Sequence, residues 1–179
     1  MLTENQTNDV WNGKIAAEVR AMYFGDLASA FVRQKQIITG ASFFLSSGAA
    51  ATIAAKMNSA VPILMSIVAA ILTAYSIAVG LDKKAATMAK LQTMWSAIAE
   101  EYDTLWNHWY EDQAEAGLRE LARKGREASE LASTEAPYDE KRVEKWREFI
   151  NRQYDGQLSA EPAQPPALLT SAGTPERHE

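Results

Sequence analysis

The chain contains no cysteine and only two histidines among its 179 residues. Without cysteine it can form neither a disulfide framework nor a cysteine-ligated metal site. His108 and Asp112 lie four residues apart beside Glu111, but a metal ion usually needs about three or four converging ligands. This group is therefore interpreted as a solvated helix face. Phosphate-binding glycine loops, nucleophile motifs and convincing carboxylate pairs do not occur, so we expect no enzyme, no cofactor and no metal site.

A surplus of basic residues is also lacking, because the formal net charge is -5. A general nucleic-acid-binding face would need the opposite balance, so no nucleic acid is expected as a partner. A cleavable signal peptide is not predicted either, since charged residues stand where its apolar core should be. They are Glu4, Asp9, Lys14, Glu18 and Arg20.

Charge is nearly absent from one long internal window, in which Lys56 is the only charged residue between positions 37 and 81. The window holds two uncharged runs, 37–55 and 61–81, joined by a short polar connection. A helix of about 19 residues covers about 29 Å, close to the hydrocarbon thickness of a bilayer. The pattern predicts a transmembrane helical hairpin over residues 37–81.

A soluble protein could in principle bury the same hairpin, but a soluble core helix normally has a polar face. The rest of the chain carries most of the charge and would have to cover both runs on all sides. Membrane crossing is therefore favoured over a soluble helical bundle. Basic residues collect outside the two runs, which places both termini on the cytoplasmic side of a multi-pass protein. They are Lys14, Arg20, Arg33, Lys35, Lys83, Lys84 and Lys90.

Small and hydroxylated residues recur along both runs at spacings that place them on helix faces. Such faces let helices approach closely in lipid, where the hydrophobic effect between helices is weak. Two interpretations stay open: the faces pack the hairpin on itself, or they also pack neighbouring copies into a homo-oligomer with a polar path. The helix-packing or pore-lining candidates are Gly40, Ser47, Gly48, Ala51, Ser66, Ala70, Thr73 and Ala74.

Residues 1–36 predict an amphipathic helix that begins near Asn8 or Asp9 and leads into the first run. Its aromatic-rich apolar face, beside a polar face of mixed charge, favours packing on another helix over lying on the membrane surface. The apolar residues of that face are Trp11, Ile15, Val19, Met22, Tyr23, Leu27 and Phe31.

The sequence pattern predicts a helical region over residues 82–154, in which the second run continues straight into a long helix. Two columns at a seven-residue period indicate a helical bundle or coiled-coil seam. Their members, the packing candidates of this region, are Met88, Trp95, Tyr102 and Trp109 in one column and Leu91, Ile98 and Leu105 in the other. Pro137 interrupts the pattern, a last helix over 139–154 is expected to fold back, and the tail 155–179 is expected to be disordered.

The resulting all-α layout resembles the SLATT domains, bacterial two-transmembrane effectors found near nucleotide-signalling and conflict genes. The resembling segments are "AMYFGDLASAFVRQKQIITGASFFLSSGA", "VAAILTAYSIAVGLDKKAA" and "LQTMWSAIAEEYDTLWNHW". The resemblance implies an inner-membrane protein that oligomerises and forms a pore in an antiviral, cell-suicide response. It also implies a nucleotide second messenger or a sensor protein as the trigger, and it supplies no catalytic residues.

A second interpretation treats the hairpin as an anchor only. The protein would then be a membrane-anchored helical scaffold that binds a cytosolic partner through the aromatic columns of residues 82–154. The two interpretations differ in what the span surfaces must do, because a pore needs close contact between helices of neighbouring copies.

Overall fold

A computed structural model describes residues 2–54 and 60–159 of the chain. Within these residues the secondary structure is entirely helical, which confirms the predicted all-α class. The elements are α1 (Glu4–Ala54), α2 (Ala60–Val79), α3 (Leu81–Asn107), α4 (Ala114–Glu135) and α5 (Glu140–Ser159). The predicted last helix exists and continues past Tyr154 to Ser159. The rest of the tail, and the polar connection with Lys56, lie outside the described residues.

The first helix begins at a capping box that the sequence analysis overlooked. The Thr3 backbone N–H donates to Gln6 Oε1 at 2.9 Å, and the Gln6 N–H donates to Thr3 Oγ1 at 3.4 Å. This reciprocal pair satisfies donors that a helix start leaves unpaired. The predicted starts at Asn8 and Asp9 are therefore wrong, because both residues already lie inside α1.

α1 is one continuous helix of 51 residues, which corresponds to a length of about 76 Å. It crosses the predicted boundary between residues 36 and 37 without a break. Its first part packs against α3 and α5, and its last part packs against α2. The same helix therefore belongs to two different regions of the molecule.

The first part of α1 forms a four-helix bundle with α3, α4 and α5. α3 runs antiparallel to α1, because Lys14 pairs with Asp103 and Lys35 pairs with Asp82 at the other end. α4 returns along α3, since Lys124 and Glu101 pair at 2.6 Å. The up-and-down order is typical of bundles with short connections.

α5 completes the bundle by running antiparallel to α1. The Tyr154 hydroxyl donates to Glu18 at 2.6 Å, and Arg142 pairs with Asp26 at 3.3 Å. Burial and the hydrogen bond to Glu18 raise the pKa of Tyr154. The phenol therefore stays a donor across the physiological pH range.

The core of the bundle forms between α1 and α3, with α4 covering it. Four members of the predicted columns, Met88, Leu91, Trp95 and Ile98, are buried, while Tyr102 and Leu105 are half-buried beside them. α1 approaches α3 so closely at Gly13 that a Cβ there would stand 2.6 Å from the Tyr102 ring. The remaining core residues are Ala99 of α3 and, from α1 and α4, Ala17, Ala21, Tyr23, Phe24, Leu27, Ala28, Leu121 and Ala128.

The predicted straight continuation of the second run is wrong, because the chain breaks twice. Gly80 adopts φ 63° and ψ 43°, a left-handed conformation that ends α2 and begins α3. α3 then ends at Asn107, and turns lead to Ala114. Trp109 consequently lies outside the helix, where it is 38% exposed and its carbonyl accepts from the Leu2 N–H at 3.0 Å.

The apolar face predicted for residues 8–35 is correct in part. Val19, Tyr23 and Leu27 are buried, whereas Met22 is 42% exposed. The neighbouring residue Ala21 is buried in the core instead, so the buried face of α1 runs beside Met22 and includes small residues as well as large ones.

Candidate membrane-spanning region

α2 is the most apolar helix in the described part of the chain. It has 20 residues and a length of about 30 Å, which matches the hydrocarbon core of a bilayer. The stretch Ala60–Asn107, which includes α2, holds an 18-residue window of mean hydropathy 2.2, and only 6% of that window is buried. By length and composition this is the one helix among residues 2–54 and 60–159 that could cross a membrane.

The low burial of α2 separates it from a soluble core helix, which would be covered by the rest of the fold. Large apolar side chains of α2 and of the last part of α1 point outward instead, with Phe43 74% and Ile77 76% exposed. Soluble monomers rarely expose contiguous apolar surface of this kind. We call these residues the apolar belt: Ile37, Phe43, Phe44, Val61, Ile63, Leu64, Ile67, Val68, Ile71, Tyr75 and Ile77.

Three hydroxyl groups in this region are satisfied within their own helices. Ser46 donates to the Ser42 carbonyl at 2.8 Å, Ser66 to the Pro62 carbonyl at 2.9 Å, and Thr73 to the Ala69 carbonyl at 2.9 Å. A hydroxyl bonded four residues back needs no water. These residues can therefore face hydrocarbon without an unpaired donor, as a lipid environment requires.

α2 contacts α1 through residues that the sequence analysis did not single out. Pro62 and Ala69 are the buried residues of α2. Between them, the Met65 side chain lies against Gly48 of α1, where an added Cβ would stand 2.7 Å from the Met65 methyl. The three- and four-residue spacing of Pro62, Met65 and Ala69 defines one helix face. In the sequence, the seven-residue step from Pro62 to Ala69 was the signal that could have identified this contact face.

The structure separates the predicted small-residue candidates by where they lie. On α1, Gly48 meets Met65, whereas Gly40 and Ser47 are exposed and Gly40 has no neighbour within 4 Å of its Cβ position. The side chain of Ala51 lies outside the described part. The four candidates on α2 are all exposed: Ser66, Ala70, Thr73 and Ala74.

The expected self-packing of the α2 stripe therefore does not hold within a single chain. α1 crosses α2 on the face that carries Pro62 and Ala69, and Ala70 and Ala74 turn away from it. The physical reason is that Gly48 accepts the Met65 side chain and so sets the crossing position. The other interpretation, packing between copies, stays a prediction.

The first charged residues next to the apolar belt lie side by side on α1 and α3. Lys35 precedes the belt on α1 and Asp82 follows it on α3, and their side chains pair at 2.6 Å. Lys83 reaches Glu135 at 3.9 Å nearby. The belt thus ends at an ionic layer next to the bundle. The position of charge at both run ends could have suggested this pairing.

His108 contributes to a helix end. Its Nδ1 lies 2.8 Å from the Thr104 carbonyl oxygen, four residues earlier on α3. Among the residues that the structure describes, no group of three or more potential metal ligands comes together.

Comparison of the chain with protein-family models, with curated proteins and with solved structures finds no match. The resemblance to SLATT domains therefore stays a prediction that rests on the segments quoted above.

Proposed function

We propose that the protein is a small integral membrane effector whose two apolar runs cross the bacterial inner membrane. The four-helix bundle stands on the cytoplasmic side, with both termini there. Copies associate through the bundle and the spans, and a signal changes that association so that the hairpins open a path or disrupt the bilayer. The signal is a nucleotide second messenger or a sensor protein, as the SLATT resemblance implies.

The observation that carries membrane insertion is the outward direction of the apolar belt. Transfer of each large apolar side chain out of water contributes roughly 1.5–3 kcal/mol. The five most exposed large aliphatic residues of α2 are half to three quarters exposed and together favour lipid by roughly 5–9 kcal/mol. They are Ile63, Leu64, Ile67, Ile71 and Ile77. The ionic pair Lys35–Asp82 lies where the belt ends, which suits a headgroup boundary.

Association between copies is supported by the exposed small-residue stripe of α2. Ser66, Ala70 and Ala74 are not used by α1, so they leave a surface on which another α2 can approach closely. Ser42 of α1 has a buried hydroxyl oxygen with no hydrogen-bond partner among the described residues.

The alternative, a membrane-anchored scaffold, loses part of its basis. The aromatic columns that would bind a cytosolic partner are largely occupied by the chain's own core, since Met88, Trp95 and Ile98 are buried against α1. Exposed aromatic rings remain outside these columns, at Tyr110 beside Trp109, at Tyr138 in the α4–α5 connection and at Phe149 on α5. A scaffold would have to bind there.

Membrane crossing is tested by fractionation and by cysteine labelling. We expect the protein to sediment with membranes and to resist alkaline carbonate. Because the chain lacks cysteine, Ser59→Cys should react in intact spheroplasts with a membrane-impermeant maleimide. Thr104→Cys, exposed on α3, should react only after lysis. Recovery of the protein in the high-speed supernatant would overturn the proposal.

The pore is tested by induced expression with a membrane-potential dye. We expect the native chain to depolarise the membrane and the double variant Ala70→Leu/Ala74→Leu not to do so. The larger leucine side chains would prevent another helix from approaching the small-residue stripe of α2 closely. Ile71→Leu, on the lipid-facing belt, is the matched control and should depolarise normally. Unchanged potential with the native protein confirmed in the membrane would favour the scaffold.

A further inference from the structure

The bundle has a cavity of about 630 Å³, open to solvent on one side, that the function proposed above does not use. It forms because α4 packs on α3 while α5 packs on α1, which leaves a gap between α4 and α5. Trp95 of α3 contributes to its wall. Pockets that bind small molecules have volumes of about 300–1,000 Å³, so the size fits a small organic ligand.

One edge of the cavity is fixed by hydrogen bonds to the α4–α5 connection. The Tyr23 hydroxyl donates to the Pro137 carbonyl at 2.5 Å and accepts from the Asp139 N–H at 3.1 Å. Burial raises the pKa of Tyr23, so the phenol keeps its proton and the donor role persists. The gap is therefore held open by contacts of its own.

The charge of the cavity wall is opposite to that of the chain. The chain has a net charge of -5, yet the formally charged residues that line the cavity are two arginines, Arg20 of α1 and Arg147 of α5, and no carboxylate is among its lining residues. Guanidinium groups are the usual recognition elements for carboxylate, phosphate or sulfonate.

Arg20 is the more informative of the two arginines. It forms no ion pair within the described part of the chain, and its guanidinium carbon lies 4.5 Å from the centroid of the Trp95 ring. Burial lowers the pKa of Arg20, but a guanidinium remains protonated in proteins. A partly desolvated cation without a carboxylate is unfavourable, and a bound anion would offset that cost.

Arg147 can also turn toward a ligand. Its partner is Glu144 on the same helix, three residues away, and both side chains are about half-exposed. Exposed pairs of this type contribute at most about 1 kcal/mol. An anion in the cavity can therefore compete with Glu144 for this guanidinium at little cost.

We propose that this cavity binds a small organic anion that has a planar apolar body. The anionic group would contact Arg20 and Arg147, and the planar part would lie against apolar residues of the wall such as Ile15, Val19 and Val143. Asn12 and Asn151 line the same cavity and would contact polar substituents. The proposal does not depend on membrane crossing, because all of these residues belong to the bundle.

The test is calorimetric titration of the full chain in lipid nanodiscs with naphthalene-1-sulfonate, with empty nanodiscs as the blank. 1-Naphthol, which has the same ring system without the charge, is the matched probe. We expect the sulfonate to bind the native chain at least tenfold more tightly than the naphthol does. Equal affinities, or no binding of the sulfonate, would overturn the proposal.

Variants then locate the site. Arg20→Gln should weaken sulfonate binding at least tenfold, and Arg20→Lys should restore part of it. Arg126→Gln removes the same charge from an exposed position on α4 outside the cavity wall and should bind normally. An unchanged affinity for Arg20→Gln would overturn the proposal.

A second variant covers the case in which Arg20→Gln does not fold. Asn151 is exposed on α5 and lines the cavity, so Asn151→Trp should fill the cavity without touching Arg20. With helicity by circular dichroism unchanged, we expect sulfonate binding to weaken at least tenfold. Native affinity in this variant would show that the probe binds elsewhere, and the proposal would fail.

Discussion

The two ends of α1 use the same helix in opposite ways. The first part buries Val10, Tyr23 and Leu27 against neighbouring helices, whereas the last part leaves Phe43 and Phe44 exposed. Charged residues are frequent before Lys35 and absent from there to the end of α1. Hydrophobic residues therefore have two different partners along one helix: protein in the bundle and, by our proposal, lipid beyond it.

The largest expected contrast comes from one substitution made in both regions. Leu91→Ala, at a fully buried position, should destabilise the bundle by about 2–5 kcal/mol through lost contacts and a cavity. Leu64→Ala, at a position that is 64% exposed, should change stability by less than about 1 kcal/mol, because little protein contact is lost. Urea unfolding in mild detergent, followed by tryptophan fluorescence, measures both. Similar losses would mean that α2 is covered by protein.

A charge placed in the apolar belt gives the next largest effect. Ile71→Lys puts a charge near the middle of α2, where insertion into the bilayer should cost about 2.5–3.5 kcal/mol. Thr104→Lys, on the exposed face of α3, should have no effect on insertion. The carbonate-resistant fraction of the protein is the measurement. Equal membrane retention of the two variants would contradict the assignment of α2 to lipid.

Glycine-to-alanine changes at the two ends of α1 should have opposite signs. A Cβ at Gly13 would press on the Tyr102 ring, and overpacking costs about 1–3 kcal/mol, offset by about 1 kcal/mol of helix propensity. Gly13→Ala should therefore destabilise by about 1 kcal/mol. Gly40→Ala meets nothing within 4 Å and should be neutral or slightly stabilising. The midpoint of thermal unfolding measures both effects. A lower midpoint for Gly40→Ala would contradict the prediction, because it would mean that another group packs against Gly40.

The smallest effect concerns the ionic layer between the two regions. Lys35 and Asp82 are both largely exposed, and pairs of this kind contribute about 0.2–1 kcal/mol. A double-mutant cycle with Lys35→Ala and Asp82→Ala should give a coupling energy in that range, and added salt should reduce it. A coupling above about 2 kcal/mol would show that the pair is desolvated.

The parts of the fold that the sequence could predict are those set by periodicity. Met88, Leu91, Trp95 and Ile98 recur at three- and four-residue steps, so the buried face of α3 was readable. The reversal after Asn107 was not, because the turn before Ala114 contains neither glycine nor proline. A helical pattern continues across it, and only tertiary packing determines where the chain turns.

Length and charge predicted the candidate membrane-spanning region, but they did not predict which of its residues are in contact. Both uncharged runs were visible in the sequence, but their small residues left open whether they pack the hairpin on itself or pack neighbouring copies. The structure uses Pro62, Met65 and Ala69 instead, because the crossing depends on the match between Met65 and Gly48. The cavity beside Arg20 was also unforeseeable, since it arises from two helices that pack on different neighbours.

The unequal connections between the bundle and the apolar belt have a mechanical consequence. α1 enters the belt as an unbroken helix, whereas α2 joins the bundle through Gly80, whose backbone is left-handed. Under the function proposed above, a rearrangement of the bundle would turn the last part of α1 together with its base, and α2 would change its tilt at Gly80.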